Sequence, residues 1–196
     1  RLPDGGLRWG VLGEPENQLV RVVRSVLTIG PSSQLALDPG VIIKFAPQAG
    51  LVIEGQASLG NSGGEVTYLT SLADDSSGGN TDNINQPPIR GSWQGLRLNP
   101  NNTQVILALN NLAIQYALTG LEVINPLTWQ VKELTIAESQ QYGISCASAF
   151  NLSMLTPEIS FLNNLVDFAG CVFVPEATPT PEFPFLTPSP GVTPTP

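Results

Sequence analysis

The chain has 196 residues, enough for one domain with a core of its own. Only 12% of them are charged, Lys and Arg number eight, and the net charge is −8, so a basic nucleic-acid face is excluded. The complete absence of histidine removes Ser-His-Asp and Cys-His nucleophilic sites, together with most catalytic zinc sites.

The first 25 residues hold Trp9, Val11, Leu12 and the run LVRVVRSVL, which reads as an N-terminal cap or as a first coil. The opening at Arg1, without an initiator Met, is compatible with a processed mature protein and equally with a trimmed one. Residues 26 to 72 form a string of short apolar runs: VLTI (26–29), LAL (35–37), VIIKF (41–45), LVIE (51–54), ASL (57–59) and VTYL (66–69). Gly30, Pro39-Gly40, Gly50, Gly55 and Gly63-Gly64 punctuate them. Apolar residues alternate inside the runs, the period of a half-buried strand. Strands this short, with corners this tight, suit a solenoid better than a sandwich.

The stretch ADDSSGGNTDNINQPPIRGS (73–92) is the longest irregular segment of the body. Asp74, Asp75 and Asp82 offer oxygen ligands for Ca²⁺, but their spacing matches neither the EF-hand nor the nonapeptide repeat. It reads first as a polar insertion, and it is also where a binding site would be sought.

An internal register follows. LAIQYALTGLEVI (112–124), LTIAESQQYGISC (134–146) and ISFLNNLVDFAGC (159–171) start 22 and 25 residues apart, and each opens apolar–x–apolar. A period of that size is what the coils of a parallel β-helix produce. The thirteenth residues, Ile124, Cys146 and Cys171, then share a column, with adjacent coils about 4.8 Å apart. That spacing permits a Cys146–Cys171 disulfide, which would favour an oxidising compartment; two stacked buried thiols are the alternative.

LALDPGVIIKFAPQAGLVIEGQASLGNSGGEVTYLTS, then SWQGLRL (92–98) and LAIQYALTG, resembles the coils of bacterial right-handed parallel β-helix surface and secreted proteins. The resemblance spans roughly residues 19 to 150. It implies a right-handed solenoid and a passive, non-enzymatic module at the cell surface or outside the cell. The cysteine pair and the residues beyond it depart from that pattern.

Little else carries chemistry. Glu133 and Glu158 share a column with Asn111, one coil apart, near the separation of a retaining-glycosidase pair. Both precede the first inward residue of their coil, so a solvated corner pair is expected rather than a catalytic dyad. The six Trp and Tyr residues form no ladder for a carbohydrate face; Trp9 is expected to fill the core or to cover an end. Asn101 and Asn151 match the N-glycosylation pattern, and Thr178, Thr180, Thr187, Thr193 and Thr195 are candidate O-glycan acceptors. No cofactor or metal site is expected, and no run of about 20 apolar residues spans a membrane.

Residues 175–196 are Pro/Thr-rich and read as an extended segment, yet carry Phe183, Phe185 and Leu186. The body thus reads as an all-β parallel β-helix over residues 1–174, with about seven coils and a tail over 175–196. A strand such as CVFV (171–174) running straight into proline leaves that end of the stack without a capping helix. The leading expectation is therefore an extracellular structural subunit, a homo-oligomer or homopolymer joined through its ends, with the tail anchored on a neighbour by Phe183, Phe185 and Leu186. A passive stalk or adhesin module with a glycosylated linker is the alternative. A carbohydrate-active enzyme comes third.

Overall fold

The structure is a computed structural model, and it describes residues 5–10, 20–100, 106–125, 128–147 and 158–172. Strands β1 (Gly5–Trp9), β2 (Arg21–Val23) and β3 (Val26–Ile29) open the chain. Then come β4 (Ser33–Leu37), β5 (Ile42–Phe45), β6 (Gly50–Ile53), β7 (Gln56–Leu59) and β8 (Thr67–Ser71). After the long loop follow β9 (Leu96–Leu98), β10 (Ile106–Gln115), β11 (Thr119–Val123) and β12 (Thr128–Ala137). The last described strands are β13 (Tyr142–Cys146), β14 (Ile159–Leu162) and β15 (Val166–Ala169).

Among the described residues every strand pairing is parallel, and partners are always separated by a full turn of chain. The protein is a parallel β-solenoid. One sheet has six strands, in the order β15-β13-β11-β9-β6-β3, one per coil. The other has nine because two faces are fused through the bent strands β10 and β12. The first half of β10 pairs with β7 through Leu107 and Ala57, and its second half pairs with β8 through Leu112 and Thr67. Asn111 and Glu133 make the bends, with φ of 48° and 58°. Left-handed backbone of this kind is more readily taken by Asn than by most residues.

The described solenoid has six turns, not the seven expected from chain length. The third coil is the reason: Leu51 pairs with Leu96, so the intervening loop consumes about a coil's worth of chain without adding a rung. Residues 5–9 and 21–29 are not a separate cap, since β1, β2 and β3 pair with β4, β5 and β6 as the first coil.

Inward residues stack in columns that run the length of the molecule. Leu27, Leu51, Leu96, Leu121, Ile144 and Phe168 make one, and Ile29, Ile53, Leu98, Val123 and Cys146 make the next. From Leu51 to Ile144 the first column is buried throughout. Each such side chain removed from water stabilises the fold by roughly 1.5–3 kcal/mol before the entropy of ordering it is counted. Trp93 re-enters this core directly after the loop. It is fully buried, stacks on Phe45 with ring centroids 4.1 Å apart, and donates its Nε1–H to the Gln115 carbonyl at 2.8 Å. Tyr116 and Tyr142 fall in different columns, as expected.

Candidate functional site

Alternation in β5 turns Val41, Ile43 and Phe45 inward and Ile42 and Lys44 outward, yet all four residues of β5 are buried. The loop 72–92 lies over this outer face. Gly78 adopts a φ of 70°, and a Cβ there would stand 2.4 Å from Val20 and 3.1 Å from Ile42, so glycine is what lets the loop lie flat. Lys44 is wholly buried and donates from Nζ to the Gly79 carbonyl. Burial lowers its pKa from the ordinary lysine value, while the carboxylates of Asp74, Asp75 and Asp82 pull it back up.

Asp74 is buried beside it and fully engaged. Its Oδ2 accepts from the Thr70 hydroxyl at 2.7 Å, and its Oδ1 accepts from the Ser76 backbone N–H at 3.1 Å and from the Ser76 hydroxyl. Asp82 Oδ1 accepts the Ile84 N–H at 2.9 Å. Two of the loop's aspartates thus act as turn formers and counter-charge. No group of three or more Asp, Glu, His or Cys among the described residues is arranged to hold a metal ion.

The far end of the loop is pinned two coils further along. Arg90 Nε donates to Glu138 Oε2 at 2.8 Å, and Asn163 Nδ2 donates to Glu138 Oε1 at 2.9 Å. The Asn163 hydrogen bond is the largest influence and holds the Glu138 carboxyl below its usual range; desolvation, next in size, opposes it, and Arg90 adds to the lowering through its hydrogen bond and its charge. Burial pushes the Tyr116 phenol up, aided by the negative charges of Asp74 and Glu138.

Between this loop and the corner after β5 lies a cleft of about 750 Å³. Its walls include Arg24, Pro47, Gln48, Leu72, Ile84 and Ile89. Ile84 and Ile89 are 51% and 70% exposed, which is unusual beside so complete a core. Sequence reasoning marked this loop by its length but missed the residues that matter. The loop's own apolar pair, INQPPI, was the legible signal.

Glu133 and Glu158 do share a column with Asn111, because Leu112 pairs with Leu134 and Leu134 with Ile159. The three line a shallow depression with Thr135 and Ser160. Glu133 is exposed, as expected; Glu158 is half-buried rather than fully solvated.

Cys146 and Cys171 form a disulfide, with Cα atoms 5.0 Å apart. Their shared column is off by one. Cys146 pairs with Val123, not with the position of Ile124, and the pairing of Ser145 with Ala169 sets Gly170 opposite Cys146. Gly170 has a φ of 71°, and a Cβ on it would stand 2.1 Å from the Cys146 carbonyl oxygen, so the chain turns there and brings Cys171 over its partner.

On the last described coil, Leu162, Leu165, Val166, Phe168 and Val172 are all exposed. Phe168 also touches Phe161, with centroids 6.1 Å apart. At the opposite end Leu7, Trp9, Val23 and Leu27 pack half-buried on the core, and the Arg21 guanidinium lies 5.6 Å from the Trp9 ring centroid. Phe183, Phe185 and Leu186, the glycosylation candidates Asn101, Asn151, Thr178, Thr180, Thr187, Thr193 and Thr195, and the Trp129 side chain lie outside the described residues.

Comparison with family models, with curated proteins and with solved structures returned no match.

Proposed function

We propose that this protein is an extracellular structural subunit that associates end to end, coil upon coil, with residues 175–196 crossing to the next copy. The observation that carries the reading is the pair of apolar ends. Core columns stop at both ends of the described stack on residues that keep contact with water: Leu7, Trp9 and Leu27 at one end, Ile159 and Phe161 at the other, where Leu165 and Val166 lie exposed on the same coil. Leu165 and Val166 are 68% and 44% exposed. Among the described strands, β14 and β15 at one end and β1, β2 and β3 at the other each have a partner on one side alone.

A second copy placed on such an end continues both the columns and the hydrogen-bond ladders, since every rung is parallel and repeats at about 4.8 Å. The contact is head-to-tail, so it propagates instead of closing. The disulfide fits an oxidising compartment, which supports an extracellular setting. The resemblance to bacterial parallel β-helix surface proteins agrees with a passive role.

Electron microscopy of the concentrated protein tests this. Filaments or sheets with a subunit repeat of roughly 30 Å, about six rungs, are expected. Their loss on Leu165→Asp with Val166→Asp would support the end contact. Single particles in the unmodified protein would instead favour a passive stalk module.

A further inference from the structure

We propose that the cleft under the loop 72–92 seats residues 182–187 (EFPFLT) of a neighbouring copy. The inference rests on end-to-end association and names the surface that receives the crossing segment. At about 750 Å³ the cleft lies within the roughly 300–1,000 Å³ of sites that enclose a ligand.

Its chemistry suits an extended proline-rich peptide. Such a segment presents carbonyl acceptors all along its length, and each proline withdraws an N–H donor. The cleft supplies donors. Gln48 Oε1 already accepts from Gln94 Nε2 at 2.7 Å, which leaves the Gln48 amide N–H groups to donate. Thr81 Oγ1 is buried in the wall without a partner among the described residues. Arg24 is exposed at the rim, makes no ion pair with a described residue, and complements Glu182. Among the described residues of the lining Asp82 is the one carboxylate, and its Oδ1 is committed to the Ile84 N–H.

The apolar spacing also fits. With three residues per turn, Phe183 and Leu186 project from the same side of the segment, about 9 Å apart. Ile84 and Ile89 are the exposed apolar pair facing the cleft, backed by Leu72 and Pro47. Aromatic and aliphatic anchors in such a groove, with carbonyls held by side-chain donors, are a recurring mode of proline-rich recognition.

The segment's reach covers both clefts, and the neighbour's is the nearer. From Val172 to Phe183 an extended chain covers about 34 Å. In a continuous stack the next copy's cleft, at its second coil, lies two rungs or ~10 Å beyond the last coil, and the chain's own cleft lies four rungs or ~19 Å back.

The test uses the full chain with Phe183→p-benzoylphenylalanine, mixed with ¹⁵N-labelled chains, irradiated and mapped by mass spectrometry. Mixed-isotope cross-links to residues 81–91 or 47–48, reduced about tenfold by Ile89→Asp, are expected for the loss of one apolar anchor. Cross-links confined to one chain, directed to residues 158–172, or unchanged by Ile89→Asp would overturn the proposal. Light scattering on the same samples separates the two ideas. Polymers without cleft cross-links overturn this inference alone, whereas monomers overturn the end-to-end reading with it.

Discussion

Glu138 shows how much one residue can tie together. It sits at a corner with a φ of 56°, receives Arg90 from the end of the loop, and receives Asn163 from the next coil. Its carboxyl is held below the ordinary value of 4.5, so the folded state favours the ionised form. The contribution is present above the unfolded pKa and is lost as pH falls through the lower, folded one. Glu138→Gln should therefore cost up to about 1 kcal/mol at pH 7, because the Arg90 pair is partly exposed and screened. The difference from the unmodified protein should shrink towards pH 3 in chemical unfolding curves.

Lys44 makes the complementary case. Lys44→Met keeps the volume but leaves the Gly79 carbonyl without its donor and removes the positive charge that faces the loop carboxylates Asp74, Asp75 and Asp82, a loss of about 1–3 kcal/mol. Amide exchange in residues 74–82 should accelerate while β6 and β9 stay protected. Uniform acceleration across the solenoid would contradict the role of Lys44 as a local anchor. None of this was legible in VIIKF, where alternation turns Lys44 outward. What covers an outward side chain depends on a loop more than twenty residues away, and local periodicity carries no such information.

At the scale of elements, short strands, tight corners and the 22- to 25-residue period specified a parallel solenoid, and the strands stand where those runs place them. The period worked because an inward column needs the same apolar–x–apolar opening in every coil. Two things escaped it. The third coil's insertion took a rung's length out of the count, and a one-residue drift in the second sheet moved Cys171 past Cys146. Corners absorb such drifts without disturbing the columns, so a register read from strands does not reveal them.

The disulfide ties the last described coil to the one beneath it across 25 residues. On loop-closure entropy alone it should stabilise by about 3 kcal/mol. Cys146→Ser with Cys171→Ser is expected to raise hydrogen exchange selectively in residues 158–172, while β3, β6 and β9 remain protected. Global loss of protection would show that the final coil is not an independent terminal unit.

For the molecule as a whole, the property on which the end-to-end proposal turns is that, among the described residues, the core reaches both ends of the stack on partly exposed side chains. A solenoid has no closing surface of its own, so each end must be covered or joined. In the sequence, CVFV running into Pro175 raised the expectation of an open end, but it could not show which side chains would lie exposed on the last described coil. Leu165 and Val166 become conspicuous only when no described rung lies beyond them. Sedimentation velocity across a concentration series, comparing the protein with its Leu165→Asp, Val166→Asp variant, tests the end-to-end account most directly. The account predicts species growing beyond the monomer with concentration, and a variant that stays monomeric with an unchanged unfolding midpoint. A protein that remains monomeric throughout, or a variant that associates equally well, would contradict it.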